Sequence, residues 1–286
     1  MALLREIASF VRWRLVPVRY ATRVTGGSWA RRRERFPFRT AVSDAIQQQG
    51  HHQGPTFSPD LVAAINAAYR PRASTVKPKE RGAPFVNLMR PEDIDSGNPV
   101  MKLAFSPEVL DPAADYFGGT PTLDSIQVLY SWPTDGPLRE SQKWHKDYGD
   151  TRSFHCIVYL NDVLKDEEGP FVYVDKRDTR RISKAPIIRR IPDDRFAREL
   201  GPGTVRSFYG KAGESVFVDP AVCYHYGSRC RTPRLAIFVT FNSHVPFVPP
   251  VDLVCENRQK LLEAARTLRP DLSESFLRNL LTLPSA

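Results

Sequence analysis

The sequence lacks long apolar segments and has few cysteines. No run of eighteen or more uncharged apolar residues occurs in its 286 residues, so no transmembrane helix is predicted. Internal repeats and low-complexity tracts are also absent. The four cysteines form no CxxC pair and have no regular spacing, which disfavours a zinc or disulfide framework. Two of them lie in apolar, strand-like runs and are predicted to be reduced, buried thiols, which favours a cytoplasmic protein.

Acidic residues are scarce at the start of the chain. Residues 1–40 contain ten arginines and two glutamates, a net charge of +8, against +9 for the whole sequence. We therefore predict a basic N-terminal arm over residues 1–40 and a single domain over residues 41–286. The arm lacks the continuous apolar core of a secretory signal. It could be a solvated segment, dock on its own domain or contact an anionic membrane peripherally; nucleic-acid binding is not expected.

Short β-like runs dominate the sequence after residue 120. They are rich in Val, Ile, Tyr and Phe and are separated by clusters of Gly, Pro and Asp. The predicted strands are Ser125–Trp132, Ser153–Leu160, Pro170–Val174, Thr204–Phe208, Ser215–Val218 and Leu235–Phe241. Many short strands with this punctuation predict a mainly β sandwich or barrel, with a jelly roll among the options.

Helices are predicted on either side of these strands. One begins at Ser58-Pro59 and ends at Arg70-Pro71, and a second covers residues 106–117, before two glycines. The pattern is helical again over residues 257–281. The polar segment at residues 47–52, Gln-Gln-Gln-Gly-His-His, is predicted to be a loop, and residues 175–203 a charged insertion between two strands.

A candidate metal-binding pair lies in the segment Ser141–Asp147. Side chains at positions i and i+2 of an extended strand point to the same side, so His145 and Asp147 would project together. His225 follows an apolar strand and a turn, and could complete the set from a neighbouring strand. Two imidazoles and one carboxylate leave coordination positions open, as an oxygen-activating iron(II) site requires, whereas zinc would favour a closed set with thiolates. A His-x-Asp pair alone also occurs often by chance.

Arg234 begins the apolar run Leu235–Phe241. A guanidinium buried in such a strand needs an anionic partner, because an unpaired buried charge is costly. A dicarboxylate co-substrate would provide one, bound through two parallel hydrogen bonds. The alternative for Arg234 is a solvated residue at the strand edge. His155, in a predicted strand, is interpreted as a packed histidine and not as a ligand.

Several of these motifs, in this order, resemble the phytanoyl-CoA dioxygenase family. They are His145-x-Asp147, Glu168-Gly169-Pro170 with the apolar residues after it, Gly213-Glu214 with the strand after it, His225 and Arg234. The match extends from about residue 125 to residue 241. The chain departs from the family at Glu214, where Asp is frequent, and after Val174, where the family often has Pro-Gly-Ser-His. The second departure changes a loop that borders the site.

The resemblance implies a double-stranded β-helix (jelly-roll, cupin-like) core with helical flanks, and an iron(II)- and 2-oxoglutarate-dependent dioxygenase. The residues implied are His145, Asp147 and His225 for the iron, Arg234 for the distal carboxylate of 2-oxoglutarate, and Gln127 or Tyr130 as further co-substrate contacts. With O2, such an enzyme would hydroxylate an unactivated C–H bond of a small molecule and release succinate and CO2. Asp147 disfavours a halogenase, because the halogenating relatives lack that carboxylate.

The alternative from a different class is a non-catalytic jelly-roll module that binds or senses a ligand. Formation of succinate that depends on iron and 2-oxoglutarate would separate the two hypotheses. Neither the substrate nor the oligomeric state follows from the sequence.

Overall fold

A computed structural model describes residues 41–78, 82–133, 135–182, 190–200 and 203–284, together with five isolated positions before residue 41. The predicted basic arm therefore lies outside the described residues except at those five positions. The described helices are α1 (Ala41–Gln49), α2 (Pro59–Ala73), α3 (Pro99–Ala104), α4 (Pro107–Phe117), α5 (Lys176–Ile182), α6 (Asp193–Glu199), α7 (Asp252–Glu256), α8 (Arg258–Leu268) and α9 (Glu274–Leu280). Short 3-10 turns occupy Pro91–Asp93, Glu140–Gln142 and Asp166–Glu168.

Two antiparallel sheets form the centre of the structure. Their strands are β1 (His51–Gln53), β2 (Phe85–Asn87), β3 (Thr122–Ser131), β4 (Trp144–His145), β5 (Ser153–Tyr159), β6 (Phe171–Val174), β7 (Arg190–Ile191), β8 (Val205–Phe208), β9 (Ser215–Val218), β10 (His225–Tyr226) and β11 (Arg234–Asn242). The large sheet has the order β1-β9-β5-β11-β3-β2 and the small sheet the order β7-β4-β10-β6-β8. All six predicted strands are confirmed, with ends that differ by up to three residues.

The two sheets face each other across one apolar cluster. The large sheet contributes Ile157, Tyr159, Val216, Val218 and Ala236 to this cluster, and the small sheet contributes Phe171, Tyr173 and Phe208. Because directly opposed residues of an antiparallel pair lie on the same side, the register fixes which residues point inward. The architecture is the predicted double-stranded β-helix, a jelly roll whose interior lies between the sheets.

Helices cover the outer face of the large sheet. Alternate residues of its strands, such as Phe154, Ile237 and Val239, pack there against apolar side chains of the helices in the main core cluster. The two predicted early helices are confirmed. At the start of α2 the Ser58 hydroxyl accepts a hydrogen bond from the Leu61 N–H at 3.3 Å. This helix runs two residues past the predicted end, because Pro71 is accommodated within its last turn.

The prediction of a loop at residues 47–52 is wrong. Residues 41–49 form α1, and His51 and His52 begin strand β1, which pairs with β9 at the edge of the large sheet. The predicted insertion at residues 175–203 carries its own elements, α5, β7 and α6. The two helices cover the outer face of the small sheet, where Phe196 stacks on Trp144 with ring centroids 3.8 Å apart, and β7 is the edge strand of that sheet.

All four cysteines are free thiols, and three of them, Cys156, Cys223 and Cys230, are buried, against two predicted to be buried. Among the described residues, no helix is both long enough and apolar enough to cross a membrane.

Candidate metal centre

Two histidines lie opposite each other on neighbouring strands of the small sheet. His145 ends β4 and His225 begins β10, and the two residues are direct partners in the antiparallel ladder. Their ring centroids are 4.2 Å apart, and both residues are buried. The prediction that His225 lies on a strand beside His145 is therefore confirmed. Tyr173 of β6 lies on the other side of His225 in the same row.

Backbone carbonyls orient the two imidazoles. Nδ1 of His145 lies 2.8 Å from the carbonyl oxygen of Lys143, and Nδ1 of His225 lies 3.1 Å from that of Cys223. Since a carbonyl oxygen accepts, each Nδ1 carries a proton, which leaves Nε2 as the nitrogen available to a metal. The Nε2 atoms lie 3.6 Å and 4.0 Å from Oδ1 of Asp147. One ligand atom from each residue falls within 4.8 Å of the others, a spacing that a single metal ion can bridge.

Asp147 is positioned by the turn between β9 of the large sheet and β10 of the small sheet. It follows the end of β4, and its N–H donates to the carbonyl oxygen of Pro220 at 2.9 Å. Asp219, buried at the start of that turn, accepts from the N–H groups of Ser153 and Ala221 and from the hydroxyl of Tyr116. Burial raises the pKa of Asp219 to about 6. The β9–β10 turn that leads to His225 thus also anchors the carboxylate ligand candidate.

His155 also lies next to Asp147. It is a packed strand residue, as predicted, but its ring points between the sheets and Nε2 lies 3.9 Å from Oδ2 of Asp147. Burial lowers the pKa of His155 to about 4, although the nearby Asp147 charge acts in the opposite direction. The imidazole is therefore neutral at physiological pH. The inward orientation of His155 could have been predicted from the alternation along β5, since His155 shares a face with the apolar residues Ile157 and Tyr159.

Arg234 is buried, with 2% of its surface exposed, so the alternative of a solvated strand-edge residue is wrong. Nη1 donates to the carbonyl oxygen of Gly169 and Nη2 donates to the hydroxyl of Ser228 at 3.0 Å. Nε is buried and has no acceptor among the described residues. No carboxylate in the described part of the chain forms an ion pair with Arg234. A methyl group at Gly227, two residues beyond His225, would lie 3.8 Å from Nη2.

Gln127 and Tyr130 lie on opposite faces of β3. Gln127 is the partner of Phe238, on the face that points between the sheets. Tyr130 is the partner of Leu235 and packs with the helical layer, its ring centroid 5.8 Å from that of Trp132. The prediction for Tyr130 as a co-substrate contact is therefore corrected, because its side chain points away from the interior. Gln127 keeps the required orientation.

A cavity of about 310 Å³ opens beside Asp147 and His155. Its other lining residues are Asp124, Tyr148, Gly149, Ser153, Thr240, Asn242, Val248, Pro249 and Val251. Burial, together with the charges of Asp147 and Asp150, raises the pKa of Asp124 to about 7. Asp124 was not among the predicted site residues, and its only signal in the sequence was its position next to a predicted apolar strand.

The donor set suits a divalent transition metal. Two neutral imidazoles and one carboxylate on one side of an ion leave the remaining positions to other ligands. No cysteine belongs to the group, so among the described residues it has no thiolate of the kind that structural zinc sites use. The buried guanidinium of Arg234, without an anionic partner, suits a carboxylate ligand in the same interior.

Several solved structures share this fold. The carbocyclase SnoK from nogalamycin biosynthesis, described as non-haem and alpha-ketoglutarate dependent, is 16% identical, with a TM-score of 0.53 over 76% of this chain and 89% of that one. EctD from S. alaskensis with bound iron is 17% identical, with a TM-score of 0.52 over 73% and 78%. The epimerase SnoN, also from nogalamycin biosynthesis, is 17% identical, with a TM-score of 0.50 over 71% and 82%.

At these identities the likeness shows a common fold. No protein-family model matches the chain, and no curated protein matches it in sequence. The resemblance to the phytanoyl-CoA dioxygenase family is therefore not confirmed, whereas the double-stranded β-helix is.

Proposed function

We propose that this chain is an iron(II)- and 2-oxoglutarate-dependent oxygenase that acts on a small molecule. The observation that carries the proposal is the convergence of His145, Asp147 and His225 between the two sheets of a jelly roll. Solved structures of the same fold include one with bound iron and one with 2-oxoglutarate and 5-hydroxyectoine, both of EctD. The chemistry of this donor set agrees with the iron bound in the first of these structures.

Each part of the site has a separate role in the proposal. His145, Asp147 and His225 hold the metal, and the Nδ1–carbonyl hydrogen bonds fix both imidazoles in the tautomer that binds through Nε2. Arg234 binds the distal carboxylate of 2-oxoglutarate, which supplies the anion that the buried guanidinium lacks.

Iron(II) with 2-oxoglutarate and O2 supplies an oxidant for an unactivated C–H bond, with release of succinate and CO2. Hydroxylation is the outcome we propose for this chain. The fold alone does not decide this outcome, since an epimerase and a carbocyclase share it. Arg234 itself is 2% exposed, so its guanidinium is shielded from bulk water.

Anaerobic iron(II) titration of the purified full chain, followed by assay of succinate, tests the proposal. We expect one iron per chain for the wild type and loss of tight binding in His145→Ala and His225→Ala, because each removes one of two imidazole ligands. His52→Ala is the matched control, since His52 lies on β1 opposite Phe217 of the outer core. Wild-type stoichiometry in both ligand variants would refute the metal site. Iron binding with no succinate from any substrate would favour a binding module.

A further inference from the structure

The cavity beside the candidate metal centre has a polar wall and an apolar wall. The polar wall includes Asp124, Ser153 and Asn242, and the apolar wall is formed by Val248, Pro249 and Val251. A hydrogen bond from the Val248 N–H to the carbonyl oxygen of Gly149, 3.1 Å long, joins the apolar wall to the loop after Asp147. Both walls therefore line the same cavity as the proposed metal ligand Asp147.

Asp124 is held in place on this polar wall by two contacts. Its Oδ1 accepts from the amide of Asn242 at 3.0 Å, and its carbonyl oxygen accepts from the Val251 N–H at 3.1 Å. The Asn242 amide is itself oriented, because its Oδ1 accepts from the Ser153 hydroxyl at 2.8 Å. Oδ2 of Asp124 receives no hydrogen bond from the described residues, and Asp124 lines the cavity. One oxygen is thus fixed by the protein and the other is left for a ligand.

The charges around the cavity have one sign. Asp124 and Asp147 both line it, and none of its lining residues in the described part of the chain is a lysine or arginine. Asp150, buried next to it, has its oxygens occupied by N–H and hydroxyl donors of Thr151 and Ser243 and adds a further negative charge. His155 and Tyr148 are the other titratable residues of the lining. A partly buried carboxylate without a cation nearby is costly, and an arriving cation would offset that cost.

The loaded metal centre would not change this balance. A divalent metal, Asp147, the dianion of 2-oxoglutarate and the Arg234 guanidinium would sum to zero in charge, so Asp124 would still leave the cavity negative. We propose that the substrate carries a positively charged amino group that binds Oδ2 of Asp124, beside an apolar part that packs on Val248, Pro249 and Val251. This inference rests on the proposed function and adds the chemical class of the substrate. The volume of about 310 Å³ suits a small molecule.

Proton relaxation of small probes near bound Mn(II) tests this inference without turnover. The full chain is loaded with Mn(II) and 2-oxoglutarate, and three probes with one carbon skeleton are titrated: cyclohexylmethylamine, cyclohexylmethanol and cyclohexanecarboxylate. We expect the ammonium probe to bind at least tenfold more tightly than the alcohol, and the carboxylate to bind most weakly. Enhanced relaxation places the bound probe close to the metal.

Substitutions separate Asp124 from general charge effects. Asp124→Asn should abolish the preference for the amine, and Asp124→Glu should retain it, because the negative charge stays. Asp60→Asn, an exposed residue in the first turn of α2, makes the same charge change elsewhere and should leave the preference intact. Near-UV circular dichroism and Mn(II) stoichiometry check that each variant is folded.

The outcomes are distinct. Bound Mn(II) with equal affinities for amine and alcohol overturns the inference and leaves the proposed function standing. An amine preference that persists in Asp124→Asn also overturns it. A wild-type chain that binds no Mn(II) removes the proposed function and this inference together.

Discussion

The guanidinium of Arg234 donates a hydrogen bond to the carbonyl oxygen of Gly169. The bond joins the start of β11, in the large sheet, to the turn before β6, in the small sheet. Arg234 thereby spans the end of the jelly roll, with Nε still without an acceptor among the described residues. Its position depends on both sheets, so the proposed binding group for 2-oxoglutarate also holds the two sheets together.

Arg234→Met should raise the KM for 2-oxoglutarate far more than the KM for the substrate. The variant removes a charge-assisted contact in a desolvated interior, a loss on the order of 2–5 kcal/mol. Steady-state succinate formation at varied 2-oxoglutarate measures the effect. Arg70→Met, an exposed arginine on α2, is the control and should behave as wild type. Unchanged dependence on 2-oxoglutarate in Arg234→Met would make this arginine purely structural.

Gly169→Ala should both destabilise the fold and weaken 2-oxoglutarate binding. Gly169 has a φ of +71°, and an added Cβ would lie 2.6 Å from Cβ of Cys230 and 2.9 Å from its backbone. The clash must displace the carbonyl to which Arg234 donates. We expect a loss of about 1–3 kcal/mol in the free energy of unfolding. Urea unfolding and the KM for 2-oxoglutarate are the two readouts.

Gly118→Ala isolates the contribution of the clash. Gly118 has nearly the same φ, +69°, but an added Cβ there meets no atom within 4 Å. It therefore carries the left-handed backbone penalty alone. If both glycine variants lose equal stability and neither changes the KM, the contact with Cys230 has no role in placing Arg234.

Asp219 should make stability depend on pH in the mildly acidic range. Its pKa is raised to about 6 in the folded protein, whereas an unfolded aspartate titrates near pH 4. Between these values the folded state holds a proton that the unfolded chain has released. The contribution of Asp219 is therefore full below about pH 4 and is lost as the pH rises through 6, at up to about 1.4 kcal/mol per pH unit.

Urea unfolding at closely spaced pH values, for wild type and Asp219→Asn, measures this contribution. The difference between the two proteins in the free energy of unfolding should change with pH between about 4 and 6 and level off beyond. Asp60→Asn, exposed on α2, should run parallel to wild type. A constant difference across that range would show that Asp219 titrates alike in both states.

Phe196→Ala should loosen the insertion without unfolding the jelly roll. Phe196 is buried in a stack on Trp144, and truncation of a buried phenylalanine costs about 3–5 kcal/mol. Amide hydrogen exchange should therefore accelerate in residues 190–200 and remain slow in β5 and β11. Tyr209→Ala, at a residue 44% exposed, is the control. Uniform acceleration across both sheets would show that the insertion is part of the same cooperative unit.

The strands and the convergence of His145, Asp147 and His225 could be predicted because they depend on local alternation. His145 and Asp147 are two residues apart, and His225 follows a strand that ends in a turn. These relations survive changes in strand ends, which is why small boundary errors did not affect the site. Arg234 was predictable for a similar reason, since its apolar neighbours required a buried strand.

The edge of the large sheet could not be predicted in the same way. His51–Gln53 is a three-residue strand whose stability comes from its ladder with β9, over 150 residues away in the chain. Its glutamine- and histidine-rich sequence has no β periodicity of its own. The pairing of His51 with Asp175, 2.7 Å between Nε2 and Oδ1, is equally invisible before the two segments are brought together.

The orientation of the side chains on β3 could be predicted from the sequence only in part. Gln127 and Tyr130 are three residues apart on one strand, so they had to point to opposite faces. Which of them pointed inward depended on the register with β11, a tertiary property. Asp124 gained its place in the cavity from the same register and from the loop at Val248–Val251, which no local pattern indicated.

The pairing of His145 with His225 has a consequence for the equilibrium between the folded and the unfolded chain. These residues are partners in the ladder but about 80 positions apart in sequence, so an ion that binds both would close a long loop in the manner of a removable cross-link. Free metal would then act as a stabiliser by mass action, with each tenfold increase above the dissociation constant adding about 1.4 kcal/mol. The insertion at residues 175–203 lies inside that loop, and chelators would make the closure reversible.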